Sequence, residues 1–259
     1  MNKNKPTLKI LKIGGQVFEN KRDFAQLTET FANWDDRKIL VHGGGKRASA
    51  MAEQLGIEPK MYNGRRITDD ATLEIVVMVY AGLINKKVVS HLQTLNCNAL
   101  GMTGADLNSI QAHKRIVKEV DFGWAGDIDE VNDQMLQKIL ELGITPVFCA
   151  ITHDKKGQLL NTNADTIAAT LATALSTFYQ VSLNYCFDRP GVLLDASDDQ
   201  SVIPELNFET YEKYKDEGII AGGMLPKLDN AFASLRQGVS EVILSGVSNL
   251  GKGTRIHLG

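Results

Sequence analysis

Several features that would have narrowed the field quickly are missing from this chain. Its three cysteines, Cys97, Cys149 and Cys186, are odd in number and far apart, and together with five histidines they show no paired ligand spacing. That argues against a zinc site and against a disulfide framework. The cysteines sit in apolar sequence such as Val147-Phe148-Cys149-Ala150 and read as buried thiols of a reducing compartment. Charge of neither sign dominates: the formal net charge is -3, so there is no general attraction to nucleic acid or to an anionic membrane. The first apolar strand-like run starts at Leu8, which leaves no room for the charged and apolar regions of a secretory leader. No apolar run approaches the roughly 20 residues needed to cross a bilayer. Low-complexity segments and internal repeats are absent. The expectation is a soluble cytoplasmic protein.

What is present is a full apolar complement, 43% of 259 residues, enough for one large domain or two fused lobes. Short strand-like runs at 38–41, 99–102, 145–149, 181–187 and 241–244 alternate with amphipathic stretches at 22–34, 70–95, 136–142, 164–175 and 225–236. This alternation predicts an α/β fold, a mainly parallel sheet with helices on both faces, in which ligands gather at the carboxyl ends of the strands. Residues 151–163 read as a hairpin ending at a helix start capped by Asn163, and a second hairpin-like piece follows Gly191. A lobe boundary is expected near Thr177.

Two strands end in glycine turns. The run Leu8 to Ile13 passes directly into Gly14-Gly15, with Lys12 just before them, and the run Lys38 to Val41 ends in His42-Gly43-Gly44-Gly45. Taken alone, Lys12 would be a solvated strand lysine and His42 a structural strand-end residue. Glycine, however, lets backbone approach a ligand closely and aim N–H groups at it, and two such turns beside a lysine describe a place that holds phosphate oxygens. Phosphoryl transfer is the chemistry this suggests. The stretch Gly246 to Gly253 imitates a nucleotide-binding P-loop, but Gly253 stands where a magnesium-binding hydroxyl belongs and too few residues follow for the required helix. No GxGxxG follows a strand. In Asn63-Gly64-Arg65-Arg66-Ile67-Thr68-Asp69, either arginine could grip a carboxylate with its planar fork, or the segment could be a solvent-facing basic turn. Pro226, in Gly222-Gly223-Met224-Leu225-Pro226-Lys227, sits where a first helical turn accepts proline.

In order and spacing, LKIGG, VHGGG, NGRRITD, NTNAD, GGMLPK and the closing GTRI resemble the acetylglutamate kinases, of the amino-acid kinase fold (carbamate kinase-like, a three-layer αβα sandwich), over essentially the whole chain. The resemblance implies transfer of the ATP γ-phosphoryl to the γ-carboxylate of N-acetyl-L-glutamate in arginine biosynthesis. It implies that Lys12 and Lys227 stabilise the transition state and that Asp165 organises both. It gives Gly14 and Gly15 to the β- and γ-phosphates, and Gly44 and Gly45 to the acceptor and the transferring phosphoryl. Arg66 would clamp the glutamate α-carboxylate and Asn161 would add an acyl-glutamate contact. Asp188 and the stretch Ile219, Ile220 and Ala221 match the nucleotide region. Magnesium would come with ATP. Residues 1–177 would form the lobe for acyl-glutamate and dimerisation, and residues 178–259 the lobe for ATP.

Departures from the family pattern raise alternatives. Lys46-Arg47 follows the three glycines where relatives commonly have proline, and an added cation there would suit N-succinyl-L-glutamate as the acceptor. In Cys186-Phe187-Asp188, relatives usually carry a small hydroxyl residue before the aspartate. A carbamate or uridylate kinase would keep the turns and lysines but need another acceptor pocket. A catalytically silent ATP- or amino-acid-binding regulatory subunit is the reading from a different class, and joint retention of Lys12, Asp165 and Lys227 speaks against it. The hexameric, arginine-inhibited relatives carry an extra N-terminal helix before the first strand, so the expectation here is an arginine-insensitive homodimer with the helix near 70–95 at its interface.

Overall fold

A computed structural model describes residues 5–259. In chain order its first half comprises β1 (Thr7–Ile13), α1 (Lys21–Ala32), β2 (Arg37–His42), α2 (Gly45–Gln54), β3 (Met61–Tyr62), β4 (Arg65–Arg66), α3 (Asp70–Val77), a π-helical segment Met78–Ile84, α4 (Asn85–Thr94) and β5 (Ala99–Met102). There follow β6 (Ile110–Lys114), β7 (Gly126–Val131), α5 (Asp133–Glu141), β8 (Thr145–Cys149), β9 (Ile151–His153), β10 (Leu159–Asn161) and α6 (Ala164–Leu175). The last group is β11 (Gln180–Cys186), β12 (Glu205–Leu206), α7 (Phe208–Asp216), α8 (Met224–Arg236), β13 (Glu241–Ser245) and β14 (Thr254–Ile256).

Eight strands form the main sheet in the order β12-β14-β13-β11-β1-β2-β8-β5. All neighbours are parallel except β13 and β14. A parallel sheet is covered on both faces, so its inner strands carry near-continuous apolar runs. In β1, Leu8, Ile10, Leu11 and Ile13 are all fully buried, as are Ile39, Leu40 and Val41 in β2. Lys12 breaks this run one residue from the strand's carboxyl end. A smaller sheet, β10-β9-β6-β7, and the β3–β4 hairpin complete the strands. Side-chain caps start several helices: Asn163 accepts from the Asp165 and Thr166 N–H groups at the start of α6, and Asp69 accepts from the Thr72 N–H at the start of α3.

The α/β reading holds, and three details differ from the sequence expectation. First, α3, the π-helical segment and α4 join end to end as Asp70–Thr94, 25 residues with a mean hydropathy of 1.4 over its most apolar window. One segment is therefore long and apolar enough to cross a bilayer by length and composition, contrary to expectation. It is a core helix here. Its Ile75, Val76, Val79, Ile84, Val88 and Leu92 are buried in the main core, while Lys86 and Lys87 interrupt it on the outside. Second, the hairpin at 151–161 forms, and the piece after Gly191 turns back on itself at Leu193 and Val202, with the Ile203 N–H donating to the Val192 carbonyl at 2.8 Å and the Leu194 N–H to the Ser201 carbonyl at 2.9 Å, without extending into full strands. Third, β6 and β7 form an antiparallel pair that the apolar pattern did not announce. The main sheet runs unbroken across residue 177, because β1 pairs with both β2 and β11.

Candidate active site

The carboxyl ends of β1 and β2 open onto a cavity of about 710 Å³. Of the residues singled out from sequence, Lys12, Gly14, Gly15, Gly44 and Gly45 reach it from these two strands and their turns. Arg66 reaches it from β4, Asn161 from β10, Asp165 from the first turn of α6 and Lys227 from the first turns of α8. Positions spread from 12 to 227 thus face one space.

Its electrostatics favour anions. The amino ends of three helices line it: Gly44 and Gly45 at α2, Asn163 to Thr166 at α6, and Gly223, Pro226 and Lys227 at α8. Each brings the positive end of a helix dipole, although Asn163 already caps the Asp165 and Thr166 N–H groups of α6, and the Met224 and Leu225 N–H groups of α8 donate to the Ala221 and Gly222 carbonyls. Lys12 Nζ lies 2.7 Å from Asp165 Oδ1, with the two side chains 16% and 33% exposed, so solvent screens the pair only in part. Asp165 is the only carboxylate among the described residues lining the cavity. Beneath it the buried Tyr185 hydroxyl donates to the Asp165 backbone carbonyl at 3.5 Å, and burial, reinforced by the Asp165 charge, raises the phenol's pKa and keeps it protonated.

The two glycine turns are glycine for different reasons. A Cβ placed on Gly14 would meet nothing within 4 Å, and one on Gly15 would make only ordinary contacts at 3.8 Å. At Gly44 it would stand 2.5 Å from Ile84 Cδ1 and 2.8 Å from Tyr80 Cδ1. The second turn therefore needs glycine to pack on the protein's own π-helical segment, where the sequence suggested close approach by a ligand.

On the acceptor side, Asn63 (φ 48°) and Gly64 (φ 74°) form the two-residue turn of the β3–β4 hairpin, both left-handed as a type I′ turn requires. This hairpin presents Arg66. Its Nη2 donates to the Gly45 carbonyl at 2.9 Å and to Ser49 Oγ at 2.7 Å, whereas its buried Nη1 has no protein partner among the described residues. A partly buried guanidinium whose Nη1 is left without a partner can grip a carboxylate. Asn161 is held by donating from Nδ2 to Thr68 Oγ1 at 3.0 Å.

Sequence reasoning missed Tyr80 and Arg115, which also line the cavity. Tyr80 lies in an apolar helix and looked like core; burial raises its pKa, partly offset by the Arg66 charge. Arg115 follows β6 and is fixed by a two-pronged pair to Asp127, its Nη2 donating at 2.6 Å to Oδ1 and its Nε at 3.2 Å to Oδ2. That pairing pulls the Asp127 pKa below the usual carboxylate range. No sequence signal marked Arg115, because it becomes special only when β6 and β7 pair.

Other expected residues stand apart. Asp188 and Ala221 are exposed, Ile219 is half-buried and Ile220 buried, and none of the four lines the cavity. Asp188 follows β11, whose Tyr185 lines the cavity, and Ile219 to Ala221 connect α7 to α8, whose first turns line it. Lys46 and Arg47 are exposed on the outside of α2 and do not line the cavity either, so the extra cation inferred for a succinyl group does not come from them. The P-loop imitation is the connection between antiparallel β13 and β14, with no helix after it. All three cysteines are buried, and burial pushes the Cys149 and Cys186 thiols up to about 12.

Residues 7–245 match the amino acid kinase family. An acetylglutamate kinase of Parabacteroides distasonis is 51% identical over 251 residues, covering 96% of this chain and 98% of that one. An acetylglutamate kinase of Bacteroides fragilis is 49% identical over 256 residues, covering 98% of each. Among solved structures, carbamate kinase from Giardia lamblia bound to AMP-PNP superposes with a TM-score of 0.69 at 15% identity, covering 99% of both chains, which is a likeness of fold.

Proposed function

This chain belongs to the amino acid kinase family, and on that footing we propose that it transfers the γ-phosphoryl of ATP to the γ-carboxylate of N-acetyl-L-glutamate, the step that its near relatives' name describes, within arginine biosynthesis. A carboxylate oxygen attacks the γ-phosphorus, the bond to the β–γ bridging oxygen breaks, and ADP leaves as an acyl phosphate forms. The acceptor is already ionised near neutral pH, so no general base is needed. The obstacle is the repulsion between two anions, and positioned positive charge removes it.

Lys12 and Lys227 neutralise the charge that builds on the migrating phosphoryl and on the departing bridging oxygen. Asp165 aims them, as its 2.7 Å bond to Lys12 suggests. Gly14 and Gly15 receive the β- and γ-phosphate oxygens on their N–H groups, and the open space around Gly14 leaves room for that approach. Gly44 and Gly45 face the transferring phosphoryl and the acceptor. Arg66 takes the α-carboxylate with its spare donor, and Asn161 takes the acyl-glutamate backbone. Asp188 and Ile219 to Ala221 serve the nucleoside outside the cavity, where ATP extends beyond its phosphates. With Asp165 the one lining carboxylate among the described residues and already paired, magnesium enters as part of the MgATP substrate, held by phosphate and water oxygens. Residues 1–177 supply the acyl-glutamate side and 178–259 the nucleotide side. The half-exposed outer face of Asp70–Thr94, with Met78 56% exposed, is the surface we assign to a homodimer contact, and the compartment is the cytoplasm.

The observation that carries this reading is the gathering of Lys12, Lys227, Arg66 and three helix amino ends around one cavity. A coupled ADP-release assay with MgATP tests it. Turnover with N-acetyl-L-glutamate is the expected result; turnover with carbamate in its place, or none with either, would refute it.

A further inference from the structure

His42 ends β2 fully buried, directly before the three glycines, and nothing in the proposed chemistry uses it. Its Nδ1 lies 2.8 Å from the Gly43 carbonyl oxygen. A carbonyl only accepts, so Nδ1 carries the proton and donates. Nε2 is then the acceptor, and it receives a bond from Asn85 Nδ2 at 3.1 Å. The same Asn85 nitrogen donates at 2.8 Å to the Val147 carbonyl of β8, which fixes the amide's orientation: turned over, it would set oxygen against oxygen. One tautomer satisfies all three contacts.

The held carbonyl belongs to the peptide unit that also contains the Gly44 N–H. In a trans peptide these two groups point in opposite directions, and the described chain has no cis bond. The Gly44 N–H donates to no backbone or side-chain acceptor among the described residues. On its other side Gly44 abuts Tyr80 and Ile84 of the π-helical segment. The peptide is thus gripped by a ring on one side and by a helix on the other.

We propose that His42 is a positioning residue: by holding the Gly43 carbonyl it turns the Gly44 N–H into the cavity as a preset donor to the phosphoryl in flight, with Asn85 fixing the ring's tautomer. This rests on the kinase reading. Burial keeps the ring neutral, its pKa pushed down to about 4, so the tautomer persists across the working range of pH.

The test compares His42→Leu, which removes the donor, with His42→Asn, whose amide nitrogen can stand near the Nδ1 position. Loss of an aimed oxyanion donor should cut kcat about 10-fold or more in His42→Leu with the KM for ATP within about twofold, and His42→Asn should recover most of it. Nitrogen-15 spectra of the wild type should show the Nδ1-protonated tautomer, a readout that no variant's folding can confuse. An Nε2-protonated ring, or equal kcat in His42→Leu and wild type, would overturn the positioning role while leaving the kinase reading intact. Equal losses in the Leu and Asn variants would overturn it too. A wild type with no turnover on MgATP and N-acetyl-L-glutamate would take down both.

Discussion

The two glycine turns occupy matching places, at the carboxyl ends of neighbouring strands β1 and β2, yet they are built on opposite plans. Around Gly14 the protein supplies nothing within 4 Å of where a methyl would sit. Around Gly44 it supplies Tyr80 and Ile84 at sub-van der Waals range, with His42 holding the preceding peptide. The first turn is shaped for something that arrives; the second is shaped by the fold and offered ready-made. A glycine repeat alone does not distinguish these plans, and substitutions that leave the backbone conformation allowed can.

The largest effect should come from Lys12, at the root of the open turn. Lys12→Ala should lower kcat by about 100-fold or more, the scale of losing one preorganised charge-stabilising group. Near wild-type turnover in a folded Lys12→Ala protein would remove the lysine from the chemistry. Next comes acid sensitivity at the closed turn. The His42 pKa falls from 6.5 to about 4 on folding, so the unfolded chain binds the proton more readily in this window. Stability is therefore fully present above about pH 6.5 and is lost as pH falls toward 4, by roughly 3 kcal/mol for this group. Urea midpoints measured between pH 7 and 4.5 should fall more steeply for wild type than for His42→Asn; parallel curves would show that the ring titrates normally.

Gly44→Ala should then cost about 1–3 kcal/mol, the usual range for overpacking, because the added methyl would lie 2.5 Å from Ile84 Cδ1. A truncation of Ile84 in the same protein should restore part of that loss, and thermal melts of the single and double variants decide it. The smallest effect on stability belongs to the matching substitution in the open turn. Gly14 has φ -76° and ψ 159°, which alanine adopts freely, so Gly14→Ala should change stability by no more than a gain of about 0.4–1 kcal/mol. The same change should raise the KM for ATP, since the methyl occupies space that phosphate needs. If Gly14→Ala melts far below wild type, the contrast between the turns collapses.

Much of this was legible in the chain, and the illegible part has a common cause. Lys12, Gly14 and Gly15 are contiguous in sequence, so local rules of strands and turns were enough to flag them; Asn163 read as a helix cap, while Asp165 was marked only by the family resemblance. Six strands of the main sheet announced themselves because burial on both faces leaves near-continuous apolar runs, while the short β12 and β14 at one edge did not. β6 and β7 did not, because their stability comes partly from cross-strand polar pairs such as His113 with Asp129 at 2.6 Å, which look like surface residues until the strands meet. Arg115 inherits that obscurity. Tyr80 was hidden by its neighbours: in Val76 to Ile84 an aromatic at helical spacing is indistinguishable from core. The π-helical segment that brings Tyr80 and Ile84 against Gly44 has no signature of its own in the amino acids. Asp188 and Ile219 to Ala221 show the converse, positions flagged by likeness that the cavity does not include.

The central place of β1 also bears on how such a chain is made. Its register with β2 is available once residue 42 has been synthesised, but its other edge pairs with Gln180 to Cys186. Until about two-thirds of the polypeptide has emerged from a ribosome, the strand that carries Lys12 keeps one side without a partner, the kind of bare edge on which growing chains misassociate. Long-range parallel pairing of this sort is slow to close. A translational pause placed before residue 180 would prolong that exposure, and one placed once residues 180–186 have emerged would give the pair time to close.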